Sequence, residues 1–315
     1  MKNFADLLCG KIAELNNPTV MGLDPKLEYI PQFIIDEAKE NFPDDEEMAA
    51  CEAIFEFNKA LIDAVCDIIP AIKPQIAYYE MYGICGLEAF LETVDYAKSK
   101  GMVVIADAKR NDIGTTATAY AKALIGETEF LDSTKPVVDS DAVTVNGYLG
   151  TDGIKPFTDI CKEGGKGIFT LVRTSNPSAG DLQDLELKDG RKVYEAMADM
   201  VNEWGKDLIG ECGFSSVGAV VGATWPEQAV DARKRMPKTL ILVPGYGAQG
   251  AGADAAVASF TADGKGSIVN ASRSLMCAWK KREDLEPKDF AKATREEAID
   301  MRDKLNAALK DRKYV

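Results

Sequence analysis

The chain has 315 residues, of which 46% are hydrophobic and 28% are charged, and this ordinary balance excludes a disordered protein. It contains no histidine, which excludes an imidazole base, a serine–histidine or cysteine–histidine pair and a histidine-ligated metal. The formal net charge of −14 argues against nucleic acid or an anionic membrane surface as a partner.

The sequence also bears on where the protein works. No apolar run reaches the roughly 18 residues of a membrane span. The amphipathic N-terminus, which carries Asp6, has no apolar stretch of signal-peptide length. The seven cysteines are widely separated and lack a C-x-x-C pair, so we expect reduced thiols and neither zinc ligands nor disulfides. These features predict a cytoplasmic protein with no membrane partner and no metal.

Eight short runs of apolar and β-branched residues recur along the chain, and each ends in small or polar residues. Continuous apolar runs of this length are typical of parallel strands that are covered on both faces. The predicted strands are Thr19–Asp24, Ala71–Ala77, Met102–Lys109, Ala142–Asn146, Gly167–Ser175, Val217–Thr224, Leu240–Gly245 and Ser267–Arg273.

Helical patterns lie between these runs. The clearest is Gly86–Gly101, where Leu87, Phe90, Leu91 and Val94 share one face. Further helices are predicted over 50–69, 115–124, 191–209, 226–235 and 286–310. Eight strands that alternate with helices favour an α/β fold of the (β/α)₈ TIM-barrel type over an open doubly wound sheet. Because no low-complexity linker interrupts the chain, residues 1–315 are predicted to form a single barrel domain with a C-terminal helical extension.

Functional residues of a barrel lie at the C-terminal ends of its strands. Ionisable side chains follow several of the predicted strands directly; they are Asp24, Lys73, Asp107, Lys109 and Arg273. Asp107 and Lys109 are two residues apart on one strand and should project to the same side. With Lys73 in the same mouth, alternating cations and anions would hold one another ionised. Each of these residues also has a purely structural interpretation. Asp107 and Lys109 could form an isolated ion pair, and the Lys73 side chain could extend past the rim of the barrel into solvent. Asp112 could be the N-cap of the following helix.

The loops after strands seven and eight carry residues suited to a phosphate. Val243–Gly252 is rich in glycine, so main-chain N–H groups can approach an anion, and Gln249 adds a side-chain donor. The eighth strand ends in Arg273, whose guanidinium suits bidentate contact with phosphate. Barrel enzymes frequently bind phosphate at these two loops.

The segment after the fifth strand is also polar. Thr174–Ala179 offers hydroxyls and amides that suit a polar ring, although it equally fits a turn before Pro177. The stretch Ser178–Arg191 that follows is either a lid or a surface loop.

One segment resembles a family signature. Residues 107–116, DAKRNDIGTT, resemble the D-x-K-x-x-D-I motif of the orotidine 5′-phosphate decarboxylase family. Six further segments agree in order: GLDP at 22–25, IKPQ at 72–75, TVN at 144–146, RTSNP at 173–177, PGYGAQG at 244–250 and ASRS at 271–274. The resemblance covers about residues 20–275 and suits the longer bacterial-type branch. Two positions depart from the pattern, since Gly147 stands where proline is expected and Tyr246 where a small aliphatic residue is usual.

The resemblance implies a barrel that forms a homodimer with shared active sites. It implies decarboxylation of orotidine 5′-monophosphate to UMP and CO₂, without cofactor or metal, as the last step of de novo pyrimidine nucleotide biosynthesis. By the motifs, the catalytic residues are Lys73, Asp107, Lys109 and Asp112. Lys109 would protonate C6 of the pyrimidine, and Asp112 would enter the partner's site.

The resemblance further implies a set of residues that bind the substrate. Asp24 and Thr116 would contact ribose, with Thr116 reaching the partner's site. Ser175 would contact the pyrimidine ring and Pro244 would line its pocket. The phosphate ligands would be Gln249 and Arg273.

Three other functions fit parts of this pattern. A related sugar-phosphate decarboxylase uses the same D-x-K-x-x-D frame with Mg²⁺, and it would lose activity with EDTA. A Schiff-base aldolase would use Lys73 or Lys109, although a lysine among carboxylates stays protonated and forms imines poorly. A non-catalytic phosphate-binding module would bind UMP and leave orotidine 5′-phosphate unchanged.

Overall fold

A computed structural model describes residues 2–247 and 251–311 of the chain. Its eight parallel strands close into a barrel in which each strand pairs with its neighbours in sequence and the first pairs with the last. The strands are β1 Thr19–Leu23, β2 Ala71–Pro74, β3 Val103–Arg110, β4 Ala142–Val145, β5 Gly167–Arg173, β6 Ser215–Val221, β7 Thr239–Val243 and β8 Ser267–Ala271. Each arises from one of the eight apolar runs, so the predicted TIM barrel is confirmed.

Helices surround this barrel. The longer ones are α1 Phe4–Leu15, α2 Gln32–Asn41, α3 Glu46–Val65, α4 Gly83–Ser99, α5 Gly114–Ile125, α6 Thr151–Gly164, α7 Val193–Gly205, α8 Pro226–Arg235 and α9 Phe290–Lys310. Short turns of helix span Leu27–Tyr29, Ala77–Glu80, Pro177–Ala179, Gly180–Gln183, Ala253–Ala256, Arg273–Met276, Ala278–Lys281 and Pro287–Asp289. A small antiparallel ribbon pairs Thr128–Glu129 with Thr134–Lys135. Within the described ranges, every helix is too short or too polar to traverse a bilayer.

The six predicted helices are present; the prediction 226–235 agrees with α8 at both ends, and each of the other five differs by a few residues at one or both ends. Helices α1, α2 and α6 were not predicted. Helix α6 carries Pro156 in its interior, and proline normally ends a helix because it lacks an N–H donor and clashes with the preceding turn.

Helix α1 closes the N-terminal end of the barrel. Phe4 and Leu8 are fully buried against residues that point into the barrel, and the Phe4 ring meets Phe169 of β5 edge to face with centroids 5.8 Å apart. The close approach requires glycine at 167, because a Cβ atom there would lie 2.1 Å from the Phe4 ring. Phe4 and Leu8 of α1 thus form an apolar plug at this end of the barrel. Polar side chains can therefore gather at the opposite mouth, at the C-terminal ends of the strands.

Candidate active site

A cavity of about 780 Å³ opens at the C-terminal mouth of the barrel. Seven of the ten predicted site residues line it, and they come from the ends of six strands: Asp24, Lys73, Asp107, Lys109, Ser175, Pro244 and Arg273. Residues about 250 positions apart in sequence therefore face one volume. A cavity of this size is in the range that holds a small-molecule ligand.

The centre of the cavity is a carboxylate held between two ammonium groups. Asp107 accepts two hydrogen bonds, each 2.6 Å long. Lys73 Nζ donates to its Oδ2 atom, and Lys109 Nζ donates to its Oδ1 atom. Lys73 is 5% exposed and Asp107 is 6% exposed, so Lys73 does not extend past the rim. The side chain of Lys109 is 45% exposed. The Lys73 ammonium is thus buried together with the carboxylate, whereas the Lys109 side chain is accessible to a ligand.

Lys109 contacts Asp107 through an irregular backbone. Its φ angle is +49°, in the left-handed region, and the pairing of β3 with β4 shifts register between Ala106 and Arg110. An L-residue rarely adopts this conformation, because its Cβ approaches the following carbonyl oxygen. The two-residue period of a regular strand predicted the shared side correctly, but it does not describe the local bend at Lys109.

The two buried members of this cluster hold each other charged. Burial by itself would raise the pKa of Asp107, but the ammonium groups of Lys73 and Lys109 hold that pKa well below its usual value. Burial would lower the pKa of Lys73, but the carboxylates of Asp107 and Asp24 raise it above its usual value. Asp107 and Lys73 are therefore both ionised near neutral pH, which makes Lys73 a poor amine for imine formation.

The cost of Lys73→Met to folding is expected to depend on pH. The depressed pKa of Asp107 contributes stability above the ~3.9 of an unfolded aspartate, and this contribution is lost as pH falls through the folded pKa. The raised pKa of Lys73 contributes stability that is complete below ~10.4 and is lost as pH rises further. We expect Lys73→Met to lower the free energy of unfolding by about 3 kcal/mol at pH 7, because it breaks a buried pair. The loss should be smaller at pH 3.

Urea unfolding of wild type and Lys73→Met at pH 7 and pH 3 measures this difference. The control is Lys100→Met, which removes the Lys100–Asp63 pair (2.6 Å, both side chains more than a third exposed) and should destabilise much less. An equal loss at both pH values for Lys73→Met would mean that Asp107 is not held ionised by Lys73.

Two predicted site residues lie outside the lining of this cavity. Asp112 accepts a hydrogen bond from the backbone N–H of its neighbour Ile113 at 2.8 Å, and Thr116 is exposed on the first turn of α5. The alternative of a helix cap for Asp112 is wrong, because Ile113 holds the N-cap position of α5 and no side chain caps it. Neither residue is among those that line the cavity of its own chain.

The loop after β7 adopts backbone conformations that favour glycine. Gly245 and Gly247 have φ angles of +101° and +70°, which other residues rarely adopt. Tyr246, between them, is half-buried in the cavity wall, and burial raises the pKa of its phenol. Arg273 lines the same cavity at the start of a short helix after β8. Gln249, the other predicted phosphate ligand, lies outside the described residues.

Gly147, the other position that departs from the family pattern, lies in a closely packed part of the structure. Gly147 follows β4, and a Cβ atom at this position would lie 2.7 Å from the sulfur of Met197 in α7. A side chain at 147 would therefore displace the flexible Met197 side chain and press on Thr170, whose methyl carbon would lie 3.0 Å away.

The polar segment after β5 is anchored to the barrel. Arg173 is 1% exposed and forms an ion pair with Asp184 at 3.0 Å. It also donates to Gln183 Oε1 at 3.1 Å, and the same oxygen accepts from the backbone N–H of Thr174 at 2.9 Å. These bonds fix the chain on both sides of Ser175. Gln183 itself lines the cavity, a position that the sequence did not indicate.

Thr144 is a second cavity residue that the sequence analysis did not single out, although it lies in the TVN segment. Its hydroxyl donates to Asp107 Oδ1 at 2.8 Å and accepts from the backbone N–H of Lys109 at 3.0 Å. Threonine is not ionisable, and its presence on a strand is usually explained by β-propensity, so nothing in the sequence marks Thr144 as a site residue.

Known proteins are similar to this chain in both sequence and fold. A model of the family described as "Orotidine 5′-phosphate decarboxylase / HUMPS family" matches residues 34–286. A curated orotidine 5′-phosphate decarboxylase from Rhodopirellula baltica is 43% identical over 283 residues, covering 90% of this chain and 91% of that protein. The solved OMP decarboxylase of Leishmania donovani is 30% identical with a TM-score of 0.68, and the match covers 95% of this chain and 99% of that one.

A second solved relative, the UMP synthase of Leishmania donovani, is 30% identical with a TM-score of 0.73; the match covers 96% of this chain and 57% of that one. The family model spans β2 to β8 and includes the Lys73, Asp107 and Lys109 cluster. The resemblance that the motifs indicated is therefore confirmed, and the chain belongs to the orotidine 5′-phosphate decarboxylase / HUMPS family.

Proposed function

We propose that this carboxy-lyase converts orotidine 5′-monophosphate to UMP and CO₂ without a metal or a cofactor, as the last step of de novo pyrimidine nucleotide biosynthesis. The observation that carries the proposal is the ionised Asp107 between Lys73 and Lys109, in a cavity that also contains Arg273. The first three groups suit charge development at a reacting carbon, and the arginine suits a remote phosphate.

The substrate is bound through groups that line the cavity. Arg273 and Gln249 bind the phosphate, together with backbone N–H groups of the glycine-rich loop. Asp24 accepts from a ribose hydroxyl; its Oδ1 atom is buried and has no hydrogen-bond partner within the described part of the chain, which suits this role. Ser175 contacts the pyrimidine ring and Pro244 lines its pocket. Binding energy from the phosphate is then available to orient the reacting carbon.

The chemistry takes place at C6 of the pyrimidine. The bond from C6 to the carboxylate breaks, CO₂ leaves, and the electron pair stays on C6 in the plane of the ring. The Lys109 ammonium stabilises this developing charge and donates a proton to C6, and water returns a proton to Lys109. Asp107 lies against the departing carboxylate, and Lys73 keeps Asp107 ionised. No step needs an imidazole, which the chain lacks.

The active enzyme is a homodimer in which the two chains share sites. Asp112 and Thr116 are absent from the lining of their own cavity, and exposed apolar side chains lie on or next to the adjacent elements α4 and α5 and after β4. These side chains are Met81, Ile84 and Leu87 near α4, Ile113 and Tyr120 near α5, and Tyr148 and Leu149 after β4. A second copy that covers this face would bury them and receive Asp112 and Thr116 in its own cavity.

Residues 1–315 act as one catalytic domain. Helix α9, the C-terminal extension, packs against the barrel's helical layer: Phe290 is buried and stacks on Phe57 of α3 with ring centroids 5.4 Å apart. We place the reaction in the cytoplasm, because substrate and product are charged nucleotides that do not cross a bilayer unaided.

The direct test is the ultraviolet absorbance of orotidine 5′-phosphate incubated with purified, EDTA-treated protein. We expect conversion to UMP at the same rate with and without EDTA. Loss of activity in EDTA and its recovery with Mg²⁺ would favour the metal-dependent sugar-phosphate decarboxylases instead. Binding of UMP with no turnover of orotidine 5′-phosphate would favour a binding module, and a borohydride-trapped adduct would favour an aldolase.

A further inference from the structure

The hydroxyl of Thr144 lies between two members of the charged cluster. Thr144 is on β4 and is 1% exposed. Its Oγ1 atom is 2.8 Å from Asp107 Oδ1, the carboxylate oxygen that also accepts from Lys109 Nζ. The same Oγ1 atom is 3.0 Å from the backbone nitrogen of Lys109. One oxygen atom therefore contacts the side chain of Asp107 and the main chain of Lys109.

The direction of both hydrogen bonds follows from chemistry. A backbone N–H only donates, so Oγ1 accepts from Lys109. An ionised carboxylate only accepts, so the single hydroxyl proton is donated to Asp107. This arrangement leaves no freedom to rotate the hydroxyl, and it orients the carboxylate so that Oδ1 faces Lys109 and Oδ2 faces Lys73.

The hydrogen bond from the Lys109 backbone to Thr144 holds a backbone conformation that is unfavourable for lysine. Lys109 and Asn16 are the two residues other than glycine with positive φ in the described ranges, and Asn16 ends helix α1. Asparagine tolerates the left-handed region, whereas lysine does so rarely. Because the register of β3 shifts at this point, the Lys109 N–H is paired by the threonine hydroxyl and not by a strand partner.

We propose that Thr144 is a positioning residue for the decarboxylation: its hydroxyl fixes the backbone of Lys109 and the carboxylate of Asp107 relative to each other. The proposal rests on the proposed function, since it assigns Thr144 a role in proton delivery by Lys109. Thr144 does not donate a proton to the substrate. Without its hydroxyl, the Lys109 ammonium is no longer held at one position relative to C6 of the substrate, while the groups that bind phosphate and ribose are unchanged.

Two pairs of variants isolate the hydroxyl. Thr144→Val replaces it by a methyl group at nearly constant shape, and Thr144→Ala and Thr144→Ser differ from each other by this oxygen alone. We expect Thr144→Val to lower kcat by about 10²-fold, as a displacement of about 1 Å can do. KM should change by less than about threefold, because uniform binding is retained. Thr144→Ser should recover kcat to within about fivefold of wild type, and Thr144→Ala should not.

A matched control comes from the neighbouring strand. Thr170 of β5 is also fully buried, and its hydroxyl has no hydrogen-bond partner among the residues described. Thr170→Val makes the same chemical change away from the charged cluster and should leave kcat and KM near wild-type values. Thermal unfolding of all variants separates a loss of fold from a loss of positioning.

A second readout follows the proton directly. Lys109 should also exchange the C6 hydrogen of UMP with deuterium from solvent, since this is the protonation step in reverse. Exchange by Thr144→Val should fall together with kcat, while UMP binding stays within about threefold of wild type.

The outcomes distinguish this proposal from the proposed function. If wild-type protein leaves orotidine 5′-phosphate unchanged, the proposed function fails. If wild type is active and Thr144→Val keeps kcat within about threefold, the positioning role is wrong. The role is also wrong if the loss appears in KM alone, or if Thr144→Ser is as impaired as Thr144→Ala. If Thr144→Val does not fold, the comparison of serine with alanine decides the question.

Discussion

Replacement of Lys109 by alanine is expected to lower the rate of UMP formation by at least about 10⁴-fold, because it removes both the proton donor and the charge that stabilises the carbanion. The fold should remain. Alanine and lysine both carry a Cβ atom, so the backbone strain at this left-handed position is unchanged. Asp107 also keeps its bonds to Lys73 and Thr144.

The measurement is the absorbance change of orotidine 5′-phosphate at high enzyme concentration, together with circular dichroism and thermal unfolding. Lys59→Ala is the control: Lys59 lies on α3, is exposed to a similar degree, and forms one surface ion pair with Glu56. It should be fully active. A folded Lys109→Ala enzyme that retains more than about one-hundredth of wild-type activity would remove Lys109 from its proposed role.

The second large effect is expected when two inactive variants are combined. Lys109→Ala and Asp112→Ala should each be inactive as homodimers. In a mixed dimer, one site receives Lys109 from one chain and Asp112 from the other, so it is intact, while the second site carries both changes. Equal mixing after subunit exchange gives about half mixed dimers, and activity should therefore recover to roughly a quarter of the wild-type value.

A mixture of Lys109→Ala with Lys73→Met provides the control. Lys73 and Lys109 line the cavity of the same chain, so no mixed dimer contains an intact site and no recovery is expected. Two differently tagged chains, purified together, establish that mixed dimers are present. If these dimers show no activity with the first pair of variants, or if Asp112→Ala is active by itself, Asp112 does not act in the partner's site.

The barrel could be predicted from the sequence because parallel strands covered on both faces need continuous apolar runs, and all eight runs became strands. Helix α1 could not be predicted in the same way. Its buried residues, such as Phe4 and Leu8, form an ordinary amphipathic face, and nothing in that pattern indicates that the face packs into the end of a barrel. The packing depends on Gly167, which lies more than 150 residues further along the chain.

The charged cluster was also predictable in part. Alternation along a strand predicted that Asp107 and Lys109 share a side, and the position of Lys73 at the end of another predicted strand placed it at the same mouth of the barrel. The contribution of Thr144 was not predictable, because it depends on a register shift between β3 and β4 and on the left-handed backbone of Lys109. Such irregularities arise from the competition of neighbouring strands, and a single segment of sequence does not contain that information.

The apolar plug formed by α1 has a consequence for how molecules enter and leave. Among the described residues, Phe4 and Leu8 fill one end of the barrel, and the cavity opens at the other end. In the proposed reaction, the substrate enters and CO₂ and UMP leave through this mouth. We therefore expect UMP to compete with the substrate for the free enzyme, because both would occupy the same cavity.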